Sequence, residues 1–251
     1  MGGAERNARK KKQQQRAAKA VTGARAAGGD RTKIIAGVVV VAVLALAVVG
    51  GVIWTGASKD EPKLTPQQAQ SISAPVQREE GVVVVGKDDA KVTIDIYEDF
   101  ICPGCGSFEE AYHGQIKERI EAGTLKARYH MLPMLNRMSE PQGYSGLSAN
   151  AALCAADQGK FWEYHSSLFA AQPEEGGPGY TKEELVKLGT DLGITSEEFK
   201  TCVDTGKHDA LATAELDKAK QTSFFEGTPT VTVGDQPVDV SNRGWLDDLL
   251  K

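Results

Sequence analysis

An uninterrupted apolar segment constrains this chain more than any other feature of its sequence. Residues 34–54 read IIAGVVVVAVLALAVVGGVIW and contain neither a charged residue nor a proline. A helix of this length would span about 30 Å, the thickness of the hydrocarbon core of a bilayer. A core helix so uniformly apolar would need protein on every side, and the rest of the 251-residue chain is too small to supply it. We therefore predict a single transmembrane helix over residues 34–54.

Basic residues lie on one side of this segment and predict its orientation. Residues 1–33 carry ten Lys and Arg against two acids, a net charge of +8, which leaves 19 basic and 32 acidic residues in the remainder, a net of −13. The positive-inside rule then places the N-terminus in the cytoplasm and the residues after the anchor outside it, in a single-pass cell-membrane protein. A cleaved signal peptide is the alternative, but its apolar region would be shorter, and residues 55–57 form only a passable cleavage site.

The basic tail also has the charge expected of a nucleic-acid-binding segment. It lacks interleaved aromatic residues and any recognisable nucleic-acid-binding fold, and its charge already has a topological explanation. We therefore expect residues 1–33 to form a cytoplasmic arm near anionic lipid, with no nucleic-acid partner.

The sequence beyond the anchor divides into a linker and one folded domain. Residues 55–80 are polar, contain prolines and lack apolar periodicity, which is typical of an extracytoplasmic linker. The domain predicted for residues 81–251 begins with two β-rich runs, Val82–Val85 and Val92–Tyr97. A helical pattern and an alternating strand, Thr124–Met131, follow. A strand–helix–strand unit with this spacing implies parallel pairing and an α/β fold.

A long helical stretch, residues 144–225, separates these strands from the last ones. Within it, Thr181–Glu184 and Thr195–Glu198 both resemble capping boxes, which mark the starts of helices. After it, we predict a strand opened by proline at Thr228–Val233 and a hairpin partner at Pro237–Val240.

A C-x-x-C pair, Cys102-Pro-Gly-Cys105, lies between the first predicted helix and the strand before it. Zinc sites use the same spacing, but Cys154 and Cys202 form no second pair and no histidine has ligand spacing to them. Haem attachment requires histidine at position 106, which is glycine. Cysteines outside the cytoplasm favour the oxidised state. We therefore predict a redox-active pair with no metal and no cofactor.

The position of Cys102 at a helix N-terminus predicts the reactive thiol, because unpaired N–H groups and the helix dipole stabilise a thiolate. The dipole contributes about 0.3–2 kcal/mol, and one pKa unit corresponds to about 1.4 kcal/mol. A larger decrease in pKa therefore needs direct hydrogen bonds from Gly104 and Cys105. Pro103 suits the first helical position. Cys105, one turn further along, is expected to be the buried resolving thiol.

The motif Cys102-Pro-Gly-Cys105, followed by Phe108-Glu109-Glu110, resembles the DsbA-like thiol–disulfide oxidoreductases of the thioredoxin superfamily. That family inserts a helical domain into the thioredoxin fold between its third strand and a cis-proline loop. Residues 144–225 and Gly227–Thr230 stand where the insertion and the loop belong, so the resemblance covers residues 81–251. It implies an α/β, thioredoxin-like fold with an inserted helical domain, preceded here by the single transmembrane helix.

The resemblance implies a substrate-binding role for Thr228 and Pro229. Pro229 would be cis and pack beside the cysteine pair, and the backbone of Thr228 would hold an extended substrate segment by strand-like hydrogen bonds. An ordinary proline opening an edge strand is the alternative. The Pro-Gly dipeptide lacks the histidine common in strong oxidants, which predicts a less acidic Cys102.

Ile96 occupies the position where many thioredoxins have a buried acid. Glu98 or Glu109 is the candidate for a proton relay to Cys105 in its place. Solvated surface carboxylates are the alternative, and they are the more common outcome for such residues.

Cys154 and Cys202 both fall in the inserted region, and outside the cytoplasm they are predicted to form a structural disulfide. Closing a loop of this size contributes about 4 kcal/mol in the chain-entropy model. Two free, buried thiols are the alternative.

Together these features predict a membrane-anchored, extracytoplasmic thiol–disulfide oxidoreductase. We favour an oxidase that acts on folding secreted proteins and is reoxidised by a membrane redox partner. A reductase or isomerase of the same fold is one alternative. A membrane-tethered binding or assembly module with an incidental cysteine pair is another, and it predicts that Cys102→Ser leaves the phenotype intact.

Overall fold

Six strands form the framework of residues 63–251, the part of the chain that the computed structural model describes. In chain order the strands are β1 (Val76–Glu79), β2 (Val82–Val85), β3 (Val92–Glu98), β4 (Leu125–Met131), β5 (Thr230–Val233) and β6 (Gln236–Pro237). They make one mixed sheet in the order β1-β2-β4-β3-β5-β6. Only β3 and β4 are parallel, and the other neighbours are antiparallel.

The centre of the sheet is the predicted strand–helix–strand unit. Helix α1 (Pro103–Glu121) connects β3 to β4, which pair in parallel with Ile94 opposite Ala127, so the predicted parallel pairing is confirmed. The helix packs its apolar stripe, including Ile116 and Ile120, into the core cluster that contains the sheet residues. Burial of such side chains stabilises the fold by roughly 1.5–3 kcal/mol each. The end of β3 and the start of α1 are thereby held in fixed positions.

The predicted helical insertion lies between β4 and β5. Its helices are α2 (Tyr144–Asp157), α3 (Phe161–Ala170), α4 (Lys182–Asp191), α5 (Glu197–Thr205) and α6 (Asp209–Lys220). Small side chains on α2, among them Ala151, Ala152 and Ala155, are fully buried where this helix packs against α3, α5 and α6. A final helix, α7 (Trp245–Leu249), follows the hairpin of β5 and β6.

The helix starts agree with the sequence at one of the two predicted capping boxes. Thr181 and Glu184 make both reciprocal bonds, with the Glu184 amide donating to the Thr181 hydroxyl at 3.2 Å. At the second box the cap is Ser196 rather than Thr195, and the Ser196 hydroxyl accepts from the Phe199 amide at 3.2 Å. The predicted box was therefore placed one residue too early.

Ordered structure begins before Gly81. Strand β1 lies inside the predicted linker, and a short 3-10 helix, Gln68–Gln70, precedes it. The amide of Gln67 donates to the Ser167 hydroxyl at 2.8 Å, so this lead-in segment contacts α3. Apolar periodicity did not reveal β1, because it is a half-exposed edge strand with one apolar residue, Val76.

The predicted cytoplasmic tail, residues 1–33, and the predicted anchor, residues 34–54, lie outside the described residues. Within residues 63–251, no helix has the combination of length and apolar character that crossing a membrane requires.

Candidate active site

The cysteine pair lies at the junction between β3 and α1, and a buried carboxylate shapes this junction. Cys102 is the N-cap residue of α1, and its amide donates to the Asp99 carbonyl at 3.0 Å. The Asp99 carboxylate accepts from the Ile101 amide, the Leu135 amide and the Ser145 hydroxyl at 2.7–3.0 Å. Burial raises the pKa of Asp99 to about 6, although these hydrogen bonds oppose the increase. Asp99 therefore ties the loop before Cys102 to the helical insertion.

Cys102 has the environment of a reactive thiolate. Its side chain is 7% exposed, and its sulfur lies 3.3 Å from the Thr228 carbonyl oxygen. A hydrogen bond from the Cys105 thiol, supported by the backbone N–H groups of Cys105 and Gly104, lowers the pKa of Cys102 to about 5 against the opposing effect of burial. This value lies between those of a free cysteine, about 8.5, and of DsbA, about 3.5. Direct hydrogen bonds, rather than the helix dipole alone, account for its acidity.

Cys105 has the opposite environment. Its side chain is fully buried, and burial raises its pKa, as do the hydrogen bond to Cys102 and the charge of Glu98. Both cysteines are free thiols in this structure. One member of the pair is therefore stabilised as an anion and the other as a neutral thiol.

The loop before β5 packs directly on the cysteine pair. The Thr228–Pro229 peptide bond is cis. A Cβ atom built on Gly104 would lie 3.1 Å from the Pro229 Cδ atom, which is tighter than an ordinary contact. Glycine at position 104 therefore allows the close approach of the proline ring.

Glu98 and Glu109 are both buried, and two histidines join them. The Nε2 atom of His165 lies 3.0 Å from Glu98 Oε2, and its Nδ1 atom lies 3.7 Å from Glu109 Oε2. His113 Nδ1 bonds the same Glu109 oxygen at 2.7 Å. Neither acid is a solvated surface carboxylate.

The pKa values of the two carboxyl groups are shifted in opposite directions. Burial and the nearby Glu109 raise the pKa of Glu98 well above its ordinary value. Burial also acts to raise the pKa of Glu109, but the interactions with His165 and His113 outweigh it and lower the pKa. Burial lowers the pKa of His165 to about 4, so this ring is neutral at pH 7.

A cavity of about 600 Å³ adjoins this network. Glu109, His113 and Ser166 form its inner wall, and exposed residues of α1 such as Ser107 and Glu110 form its rim. The cavity therefore connects the buried carboxyl groups with the surface of the domain.

Within residues 63–251, two groups of side chains have the spacing of metal ligands. In the first group, Glu109, His113 and His165 offer atoms within 4.8 Å of one another. Glu109 Oε2 and His113 Nδ1 already bond each other, whereas His165 Nδ1 has no hydrogen-bond partner. The second group joins Cys154 and Cys202 to His208, and its two sulfurs form a disulfide with an S–S distance of 2.03 Å. We assign no metal to either group.

Several residues of the site were missed by sequence reasoning. The carboxamide of Gln172 donates to the Cys102 carbonyl at 2.9 Å and to the Phe100 carbonyl at 3.2 Å. The position of Asp99, three residues before Cys102, is the one local signal that could have indicated its role in shaping this loop. His113 is four residues from Glu109 on one helix, so the i,i+4 spacing could have indicated their contact. Ser166 and Gln172 are separated by 53 and 70 positions from His113 and Cys102, the site residues that they contact, and no local spacing signals their roles.

Comparison with known proteins identifies one family over most of the domain. A model of the family described as Thioredoxin matches residues 78–247. The disulfide bond formation protein D of Bacillus subtilis is 31% identical over 169 residues, which cover 63% of this chain and 70% of that protein.

Two mycobacterial proteins are similar as well. The serine/threonine-protein kinase PknE of Mycobacterium tuberculosis is 31% identical over 177 residues, and these cover 67% of this chain but only 31% of the kinase. A crystal structure of oxidised DsbA from the same organism superposes with a TM-score of 0.58 at 26% identity, covering 71% of this chain and 91% of that one. This likeness confirms the predicted thioredoxin-like fold.

Proposed function

We propose that this chain, which belongs to the thioredoxin family and is a thiol–disulfide oxidoreductase of the DsbA type, forms disulfide bonds in proteins outside the cytoplasm. The observation that carries the oxidising direction is the contrast between the two thiols. The pKa of Cys102 is lowered to about 5, whereas that of Cys105 is raised. A stabilised Cys102 thiolate favours the reduced enzyme and so makes its disulfide a better oxidant.

The first step of the proposed reaction opens the Cys102–Cys105 disulfide. A substrate thiolate attacks the Cys102 sulfur, which forms a mixed disulfide and breaks the bond to Cys105. Cys105 leaves as a thiolate and takes up one proton, because burial raises its pKa. The neutral thiol is then in place to donate a hydrogen bond to the sulfur of Cys102.

The second step releases the oxidised substrate. A second substrate thiolate attacks the substrate sulfur of the mixed disulfide, and Cys102 leaves as a thiolate. Its low pKa makes it a good leaving group at pH 7. Two electrons pass from the substrate to the cysteine pair, and a membrane redox partner is proposed to remove them in each cycle.

The substrate segment is proposed to bind along the cis-proline loop. The Thr228 carbonyl lies beside the Cys102 sulfur, where an extended chain would pair with the backbone of the loop. Partly exposed apolar side chains stand near this loop, and the Met134 methyl group lies 4.0 Å from the position of a Cβ on Gly227. Phe224 and Phe225 pack in the same cluster as Met134. Such a surface suits unfolded secreted proteins, which expose apolar residues.

The other site residues complete the proposal. Glu98 and Glu109 are proposed to relay protons to and from Cys105, supported by their burial and their contacts with His165.

The Cys154–Cys202 bond is proposed to be structural. The domain is proposed to stand outside the cell membrane on an uncleaved anchor, residues 34–54, supported by the apolar run and the basic residues before it.

The equilibrium between the Cys102–Cys105 pair and glutathione tests the direction of the reaction. Because the pKa of Cys102 lies between those of thioredoxin and DsbA, we expect a reduction potential between about −270 and about −120 mV, the values of those two proteins. A potential at or below that of thioredoxin would overturn the oxidase proposal and favour a reductase.

A trapping variant tests the substrate class. In Cys105→Ala the Cys102 thiolate can still attack a substrate disulfide, and Cys105 is not there to release the mixed disulfide. In cells this variant should therefore accumulate covalent complexes with secreted or cell-envelope proteins. The matched variant Cys102→Ala lacks the sulfur that forms the mixed disulfide and should trap none. Complexes with cytoplasmic proteins alone would exclude the proposed location.

A further inference from the structure

The thiol of Cys105 must exchange a proton in every cycle although it has no contact with solvent. Its side chain is fully buried, and the neighbouring Cys102 and Gly104 pack against the cis-proline loop. A substrate bound through Cys102 would cover this side further. The proton therefore needs a route through the interior of the domain.

The two sides of the first turns of α1 face different surroundings. Gly104 faces Pro229 on the side of the substrate loop. Gly106, Glu109 and His113 share the other side of the helix, because residues three, four and seven apart lie on one face. That side borders the cavity of about 600 Å³. A route that ends in the cavity stays open while a substrate occupies the cis-proline loop.

Side chains form a continuous path from the region of Cys105 to this cavity. Glu98 is close enough for its charge to raise the pKa of Cys105. The carboxyl groups of Glu98 and Glu109 interact directly through a side-chain hydrogen bond, and His165 Nε2 bonds Glu98 at 3.0 Å. His113 connects Glu109 at 2.7 Å to the Ser166 hydroxyl at 2.9 Å.

We propose that His113 and Ser166 carry protons between the buried carboxyl pair, Glu98 and Glu109, and the cavity beside α1. The proposal rests on the proposed thiol–disulfide exchange and adds the route by which the proton of Cys105 reaches solvent. Glu109 also lines the cavity, but its Oε1 atom is inaccessible to solvent and its Oε2 atom bonds His113, so His113 is the group that can pass a proton between the pair and the cavity. The two ring nitrogens of His113 bond Glu109 and Ser166, so the ring can accept a proton on one side and release one from the other.

Ser166 allows His113 to hold either charge state without losing a hydrogen bond. The Ser166 hydroxyl can donate to the Trp162 carbonyl at 2.8 Å and then accept from a protonated His113. When His113 is neutral and its Nδ1 atom donates to Glu109, rotation of the same hydroxyl lets it donate to His113 Nε2. Both ring nitrogens of His113 therefore keep a hydrogen-bond partner whether the ring is neutral or protonated.

Chemical rescue in the full-length protein tests the route. His113→Ala should slow the reduction of the oxidised enzyme by a peptide dithiol at least tenfold at pH 7, since positioned proton transfer contributes about 10²–10⁴-fold. The substitution leaves space in a cavity that already measures about 600 Å³. Added imidazole should therefore restore the rate, with a pH profile that follows the free imidazole.

The control variant is Glu110→Gln, which changes the charge at the cavity rim without touching the path. It should keep the wild-type rate. Glu109, which bonds His113, and His165, whose ring lies 6.3 Å from that of His113, are the titratable groups that face His113, and both remain in both variants.

Three outcomes would overturn the proposal: a wild-type rate in His113→Ala, a slow rate that imidazole does not restore, or rescue that does not depend on pH. If His113→Ala does not fold, His113→Gln and Ser166→Ala replace it, and both should lose part of the solvent deuterium isotope effect of the wild type. An unchanged isotope effect in both would equally exclude the route. A thioredoxin-like potential of the wild type would refute the oxidase proposal but not the rescue experiment, so the two failures are distinguishable.

Discussion

At the scale of single residues, the chemistry of this protein depends on the unequal environments of two cysteines. Cys102 caps α1 and receives hydrogen bonds, whereas Cys105 is fully buried and feels the charge of Glu98. The hydrogen bond between them serves both, because it stabilises the thiolate of one and the thiol of the other. The hydrogen bond between Cys102 and Cys105 therefore contributes much of the difference between their pKa values.

The acidity of Cys102 gives the first residue-scale prediction. Thiolate absorbance of the reduced protein should rise with a midpoint near pH 5. Cys105→Ala should raise the midpoint to about 6–7, because a hydrogen bond to a charged group contributes about 1.5–3 kcal/mol. Cys102→Ala should abolish the transition. A midpoint near 8.5 in the wild type would contradict the arrangement described here.

The roles of residues were predictable only where they belong to a short sequence motif. The cysteine pair, Pro103 and the Thr228–Pro229 motif are short patterns with a known physical meaning. His113 and His165 are separated by 51 intervening positions on two helices, and only packing of α3 against α1 brings them together. The contact of His113 with Glu109 follows from i,i+4 spacing on one helix, but the approach of His165 to Glu109 could not be read from spacing.

At the scale of elements, a buried histidine joins the sheet to the inserted helices. His130 on β4 bonds Asp95 on β3 at 2.9 Å and Glu215 on α6 at 3.2 Å. Burial acts to lower the pKa of His130, but the two carboxylates outweigh it, so the pKa is raised. The hydrogen bond from His130 in turn lowers the pKa of Glu215 despite burial. The charged histidine thus stabilises two neighbouring carboxylates.

Replacing His130 tests this connection. His130→Gln should lower the free energy of unfolding by about 3 kcal/mol at pH 6, as expected when one partner of a buried charge pair is removed. Because the folded-state pKa is raised, this stabilisation is fully present below the unfolded pKa and is lost as the pH rises through the folded one. The difference from wild type should therefore shrink in alkaline urea titrations.

A matched surface variant separates this effect from general loss of charge. Lys187→Gln removes an exposed pair with Asp191 on α4 and should leave the free energy of unfolding nearly unchanged at every pH. A pH-independent loss in His130→Gln would mean that packing, rather than charge, accounts for its contribution.

Helices and strands with a strong apolar periodicity were predictable from the sequence, whereas those with few apolar residues were not. The β3–α1–β4 unit follows from apolar alternation and helical spacing, and its parallel pairing was confirmed. Strand β1 was missed because it is held by backbone pairing with β2 rather than by apolar side chains. The predicted hairpin partner of β5 is shorter than expected, with β6 limited to two residues.

At the scale of the whole molecule, one covalent bond holds the insertion together. The Cys154–Cys202 disulfide joins α2 to α5 across a sequence separation of 48 residues. The predicted pairing could be proposed from the sequence because both cysteines fall in the inserted region. Its location within the packed helices required the structure.

Removing this bond should affect stability more than chemistry. The double variant Cys154→Ala/Cys202→Ala should lose about 4 kcal/mol of unfolding free energy by the loop-entropy model. The absorbance midpoint of Cys102 should stay near pH 5 because all of its hydrogen-bond partners remain. Alkylation of Cys154 in untreated wild-type protein would show that the bond is not formed and would remove the basis of this expectation.

The lead-in segment before β1 has a practical consequence for anyone who wishes to purify this domain. Gln67 and Gln70 form part of the wall of the cavity beside α1, and the Gln67 amide bonds Ser167, the residue after Ser166. A fragment that begins at β1 would keep every cysteine and the whole sheet, but it would lack the part of the cavity wall formed by Gln67 and Gln70. The cavity beside His113 would then be more open to solvent, and rates measured on such a fragment would not represent the complete site. The first residue chosen for expression therefore belongs upstream of Gln67.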